Sequence, residues 1–178
     1  GKFDVYGGDA AKQGGYAVYS TKNLLVLTDN NAKATFTGGK TTTGTVGGYG
    51  LVAVSSAYLI GSRTSYVTVV GGSRPNTGTK AHGGIGISST DVYVGVDSTI
   101  KGGTAYCDAP GIRFIDSCEF SAVNSHITGG TTRNSDGGAI QNIDDKKFLV
   151  NKHTDVSGTI YDIYIKVKQY TLKLNGNG

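Results

Sequence analysis

The side chains best equipped for chemistry are carboxylates: the chain holds 12 Asp and one Glu. Asp116 and Glu119 lie close together in the chain, and Asp144 and Asp145 follow one repeat later. Cleaving a glycosidic bond takes two carboxylates about 5–9 Å apart, one protonating the leaving oxygen and one acting as base or nucleophile. Asp116, Glu119, Asp144 and Asp145 are therefore the candidate catalytic set if the chain is an enzyme, with Arg113 and Lys146 as basic neighbours. A solvated charged face is the preferred reading, so no catalytic residue is assigned. Asp108 and Asp136 each precede a Gly-containing bend and read as turn formers. His126 and His153 lie one repeat apart and are expected to stack on one outer face. A metal needs at least a third ligand there, so neither a metal site nor a cofactor is expected. Cys107 and Cys118 are separated by less than half a repeat and read as two separate thiols. Tyrosine is abundant, at 11 residues. Tyr49, Tyr66 and Tyr93, together with Arg113, are the candidate binding residues, able to stack on sugar rings or fill an interface.

The elements that must position these groups are repeats. Gly83-Gly84-Ile85-Gly86-Ile87 opens one unit and Val96-Asp97-Ser98-Thr99-Ile100-Lys101-Gly102-Gly103-Thr104 closes it. Pro110-Gly111-Ile112-Arg113-Phe114 opens the next, and Val123-Asn124-Ser125-His126-Ile127-Thr128-Gly129-Gly130-Thr131 closes it. The step from Gly84 to Gly111 equals the step from Gly111 to Gly138. Two earlier units open at Gly14-Gly15-Tyr16 and Gly47-Gly48-Tyr49, and they share one inner length, since Gly15 to Gly39 equals Gly48 to Gly72. A fixed period in the range of roughly 20–50 residues predicts a solenoid. A strand of four to six residues buries its apolar face only when the next coil stacks on it. Matching residues then form ladders: Ile85 and Ile87 over Ile112 and Phe114, Tyr93 over Phe120, and Val96, Ser98 and Ile100 over Val123, Ser125 and Ile127. Leu24-Leu25-Val26-Leu27 reads as the core strand of the first coil. The paired glycines mark bends that need positive φ or close backbone approach.

Composition agrees. Gly is 29 of 178 residues, Pro only 2, and 17% of residues are charged. No stretch combines a capping signal with a 3.6-residue apolar period, so the class is all-β. The net charge is +4, but the arginines fall on different coils, without the clustered stripe that nucleic-acid binding requires. No apolar run approaches the length of a membrane span. The expected organisation is an N-terminal cap or junction at 1–13, β-helix coils over 14–162, and a last rung with a tail at 163–178.

The Gly-Gly-apolar openings and the Val-Asn/Asp-Ser-x-Ile-x-Gly-Gly-Thr closings resemble right-handed parallel β-helices of the pectate-lyase-like class. Gly137-Gly138-Ala139-Ile140 followed by Phe148-Leu149-Val150-Asn151 is similar to the repeats of autotransporter passengers. The resemblance implies a right-handed parallel β-helix of about five coils, of the kind found in phage tailspikes and virion decoration proteins, adhesins, and polysaccharide lyases and hydrolases. Fold alone does not choose among these. The expectation is a non-enzymatic structural or adhesive surface protein, extracellular or on a cell or virion surface, that self-associates as a trimer or stacked assembly and binds a surface or glycan. Tyr164, Lys166, Lys168 and Tyr170 are the candidate assembly residues. Glycan cleavage is the alternative.

Overall fold

A computed structural model describes residues 1–74, 81–115, 119–132, 138–141, 148–150, 153–157 and 160–161. Fifteen strands follow in chain order: β1 (Lys2–Tyr6), β2 (Val18–Ser20), β3 (Leu24–Thr28), β4 (Lys33–Thr37), β5 (Leu51–Gly61), β6 (Tyr66–Val70), β7 (Ile87–Gly95), β8 (Asp97–Lys101), β9 (Ile112–Phe114), β10 (Phe120–Ala122), β11 (Ser125–Thr128), β12 (Ile140–Gln141), β13 (Phe148–Val150), β14 (Asp155–Ser157) and β15 (Ile160–Tyr161). Every named pairing is parallel. The chain is an all-β parallel solenoid of about four turns. The five openings in the sequence overcount by one.

One wall is a six-stranded sheet in the order β1-β4-β6-β8-β11-β14. The other is nine-stranded, and β5 and β7 run its whole width. Their first halves carry β2 and β9, and their second halves carry β3 and β10. A bulge between Ala53 and Ser56 divides the halves. Residues 1–13, expected as a cap or junction, supply β1 as the outermost strand of the six-stranded sheet.

Alternation places the core between the walls. Val67, Val69, Leu51, Leu59, Ile87, Ile100, Ile112 and Ile127 are fully buried. The ladder Ser98–Ser125 with Ile100–Ile127 forms in the register the repeat predicts. On the other wall the expected register is two residues out in the first half and one residue out, in the opposite sense, in the second. Ile87, not Ile85, lies over Ile112, and Ser89 lies over Phe114. Phe120 lies under Val92, while Tyr93 lies over Ser121. For the first half the reason is at the opening bend. Gly84-Ile85-Gly86 is met one coil later by Ala109-Pro110-Gly111, as the bond from Gly86 N–H to the Pro110 carbonyl records. Gly111 therefore sits at the level of Gly86, and the regular step from Gly84 to Gly111 joins glycines of different levels. Phe114 and Phe120 meet edge to face in the core, with ring centroids 6.0 Å apart. In β3 only Val26 and Thr28 are buried, and Leu25 and Leu27 point outward. His126 lies over Asp155 rather than His153, and its Nδ1 is 2.9 Å from the Asp155 Oδ2.

The paired glycines are explained by close approach. Gly15 N–H donates to the Gly8 carbonyl, Gly39 to Gly15, Gly48 to Gly39, Gly72 to Gly48, Gly84 to Gly72 and Gly103 to Gly84, all at 2.7–2.8 Å. Opening and closing glycines thus zigzag up the solenoid as one hydrogen-bonded chain, and a Cβ at Gly84 would overlap the Gly48 carbonyl oxygen. The segments from Gly39 to Gly48 and from Gly72 to Gly84 are lobes, each pinched at the base by one of these bonds. The lobes stack on one another through Ala10–Thr41, Gln13–Val46, Val46–His82 and Ala105–Thr132 bridges.

Candidate functional site

Three columns of residues, one per coil, meet where each lobe returns to the nine-stranded sheet. The first is on the lobes: Gln13, Val46 and His82 are joined by bridges, and Asp108 follows through the bond from Gly83 N–H to its carbonyl. The second comes just after the opening glycines: Tyr16, Tyr49, Ile85 and Pro110, ordered by bonds from Ala17 N–H to Tyr49, Gly50 N–H to Ile85 and Gly86 N–H to Pro110. The third is the outward register of the sheet: Tyr19, Val52, Ser88, Arg113 and Gln141. The glycine bend turns the chain sharply enough to leave a concave corner between the first two columns. The corner opens into a cleft of about 230 Å³, with Val46, Ile85 and Pro110 as its apolar surface and His82, Asp108 and Gln141 among its polar groups.

Arg113 and Tyr49, two of the four expected binding residues, come together here. The Arg113 guanidinium lies 5.5 Å from the Tyr49 ring centroid, and its Nη2 donates to the Tyr49 hydroxyl at 2.9 Å. The side chain spans two rungs to reach it, along the column in which Ser88 and Val52 are buried although their register points outward. Tyr16 packs against Tyr49, with centroids 5.2 Å apart, and stacks on Tyr19 at 5.8 Å. Gln13 Nε2 donates to the Tyr16 hydroxyl and ties the first lobe to the sheet. Asp108 and Arg113 both line the cleft and form no ion pair with each other.

The other two expected binding residues lie elsewhere. Tyr66 starts β6 on the six-stranded wall, where its hydroxyl bonds to Thr99 Oγ1. Tyr93 lies on the second half of the nine-stranded wall, stacked on Tyr58 with centroids 4.9 Å apart and rings within 9° of parallel. Its hydroxyl donates to the Glu119 Oε2 at 2.7 Å. That bond, then burial, then the Asp91 charge hold the Tyr93 phenol well above its usual pKa. Glu119 N–H donates to the Asp91 Oδ1 at 2.8 Å, and the Ser56 hydroxyl donates to the Asp91 Oδ2 at 3.1 Å. Asp91 therefore holds the Glu119 backbone, a proximity that stacking creates and sequence distance hides. Asp116, Asp144 and Asp145, the rest of the candidate catalytic set, lie outside the described residues, as do Lys146, Cys118, Asp136 and the assembly candidates Tyr164, Lys166, Lys168 and Tyr170.

Sequence reasoning did not bring His82, Asp108 and Gln141 together. A signal for one was present: Val46 and His82 each immediately precede an opening Gly-Gly pair. At the end remote from the cleft's polar groups, a second hollow of about 520 Å³ lies at the first rung, lined by Phe3, Val18, Leu24, Val26 and Phe36 among others. Comparison with known proteins finds no matching family model, no matching curated protein and no matching solved structure.

Proposed function

We propose that this chain is a non-enzymatic structural and adhesive surface module that assembles through the end of its solenoid and holds a surface or glycan along its side. The observation that carries this reading is the first rung. Among the described residues β1 pairs only with β4, and β2 and β3 pair only with β5, so three strand edges are open. Phe3 faces the core register over buried Ala34, yet is 62% exposed. Leu25 and Leu27 add exposed apolar surface beside it, continued along the wall by Ile60 and Tyr58. Open strand edges backed by an apolar hollow invite another chain to pair there. The partner is a second copy, in a setting such as a virion decoration or spike component, or a secreted adhesin or matrix subunit.

Light scattering on the purified chain tests this. Assemblies above the 18.4 kDa protomer mass are expected, and Phe3→Asp, which puts a charge into the hollow, is expected to return them to monomers that keep the wild-type circular dichroism spectrum. A wild-type monomer at about 100 µM, a concentration ample for the micromolar association typical of modest interfaces, refutes self-assembly. The bond from the Glu119 backbone to Asp91, which puts two carboxylate-bearing residues side by side, favours one second reading, glycan cleavage. Turnover of an oligosaccharide that is lost in Glu119→Gln would establish that reading instead.

A further inference from the structure

We propose that the cleft between the lobe column and the nine-stranded wall binds the end of a neutral oligosaccharide, which then runs along the solenoid axis over Tyr16 and Tyr19. The inference rests on the adhesive part of the function proposed above and is independent of self-assembly. Its basis is the chemistry of the lining. Asp108 is a carboxylate that only accepts hydrogen bonds; Arg113 is a guanidinium that only donates. They share one cleft without pairing. A ligand that satisfies both must offer donors and acceptors side by side, as the vicinal hydroxyls of a sugar do. Gln141 adds a carboxamide and His82 an imidazole, each able to donate and accept. Val46, Ile85 and Pro110 supply apolar surface for the C–H face of the ring. One negative and one positive side chain leave the cleft near electrical balance, which suits a neutral sugar over a polyanionic one.

Tyr49 is a positioning residue. Its ring packs against Tyr16 and under the Arg113 guanidinium, and its hydroxyl takes one Arg113 N–H, so the remaining donors are held toward the cleft. At about 230 Å³ the cleft is smaller than the ~300–1,000 Å³ typical of drug-sized sites, so it takes one ring. Further rings have a surface waiting. Tyr16 and Tyr19 are exposed and stacked on each other. Tyr19 stands three rungs from Arg113 in the same column, about 14 Å at the spacing of paired strands, within the span of a short oligosaccharide.

Isothermal titration of the whole chain tests this with cellotriose, maltotriose and mannotriose as neutral probes, trigalacturonate as the acidic counterpart, and glycine as a small zwitterion. At least one neutral trisaccharide is expected to bind. Asp108→Asn is expected to weaken it roughly tenfold, the loss of one charge-assisted contact. Tyr19→Ala is expected to weaken the trisaccharide several-fold and leave the matching methyl glycoside unchanged. Both positions are solvent-accessible, so the variants should fold, and an unchanged melting temperature checks that. Three outcomes overturn the proposal: no neutral trisaccharide binds at about 10 mM, far above the affinity range of useful recognition; binding survives Asp108→Asn undiminished; or trigalacturonate or glycine binds more tightly. The light-scattering result stands apart from all three.

Discussion

Replacing Gly84 by alanine tests the hydrogen-bonded glycine chain directly. A Cβ there would overlap the Gly48 carbonyl oxygen and crowd the Gly72 amide, both backbone atoms that cannot swing aside. Two bonds depend on that spacing: Gly84 N–H to Gly72 at 2.8 Å and Gly72 N–H to Gly48 at 2.7 Å. Forcing a methyl into a packed interior costs about 1–3 kcal/mol, and each weakened buried bond about 1 kcal/mol. The stiffer unfolded chain returns about 0.5 kcal/mol. The net loss is about 3 kcal/mol, or roughly 6–12 °C in melting temperature for a chain of this size. Gly95→Ala is the matched control. Gly95 is exposed in β7, and the nearest atom to its new carbon is the Leu59 carbonyl oxygen at 3.8 Å. Alanine there should raise stability slightly, by about 0.5 kcal/mol. Thermal denaturation followed by circular dichroism reads both. If Gly84→Ala melts within about 2 °C of wild type, a shift too small for even one lost kcal/mol, the close-approach explanation of the paired glycines is refuted.

Three further outcomes are expected. Phe114→Ala should cost about 3–5 kcal/mol in chemical denaturation, because it empties a fully buried site against Phe120, whereas Leu27→Ala, at a side chain 71% exposed, should leave stability within about 0.5 kcal/mol. Ser125→Ala should cost about 1–3 kcal/mol, since the buried Ser98 hydroxyl donates to Ser125 Oγ at 3.0 Å and would lose its acceptor; the Ser98→Ala, Ser125→Ala double variant should recover part of that loss. The raised Tyr93 phenol favours the protonated side chain in the folded state. Its contribution is therefore complete below the ordinary phenol pKa of about 10 and is lost as pH rises beyond it; denaturation midpoints of wild type should fall more steeply on the alkaline side than those of Tyr93→Phe.

Part of the fold is legible in the chain because the step from β8 to β11 on the six-stranded wall equals the repeat length. Ser98–Ser125 and Ile100–Ile127 stack as the spacing predicts. The other wall departs from the spacing because glycine recurs at alternate positions. With Gly84 and Gly86 in one coil and only Gly111 in the next, the spacing itself does not say which pair shares a level, and Ala109 occupies the place where glycine is expected. The outward Leu25 and Leu27 escape notice for a related reason: a run of four apolar residues has no visible alternation, and only the neighbouring coil decides which face is inside. At the candidate site, Tyr49 and Arg113 stand out by residue type alone. Their contact across 64 positions depends on a side chain reaching over two rungs, which no local pattern encodes. Asp91 beside Glu119 is the same kind of product, made by stacking and invisible along the chain.

The pinched lobes separate two kinds of change. From Gly48 to Gly72 the chain traces a circuit whose ends are fastened by a 2.7 Å bond, and the next lobe begins and ends at Gly72 and Gly84, fastened at 2.8 Å. A loop with anchored ends pays only about 0.6 kcal/mol for each doubling of its length. The lobes already differ, the one between Gly39 and Gly47 being shorter than the one between Gly72 and Gly83. New residues inserted at a lobe tip would therefore alter the outline of the molecule and the lip of the cleft while the ladders inside keep their register. Such a chain can be edited from the outside, one coil at a time, as a printed page is annotated in its margin without resetting the text.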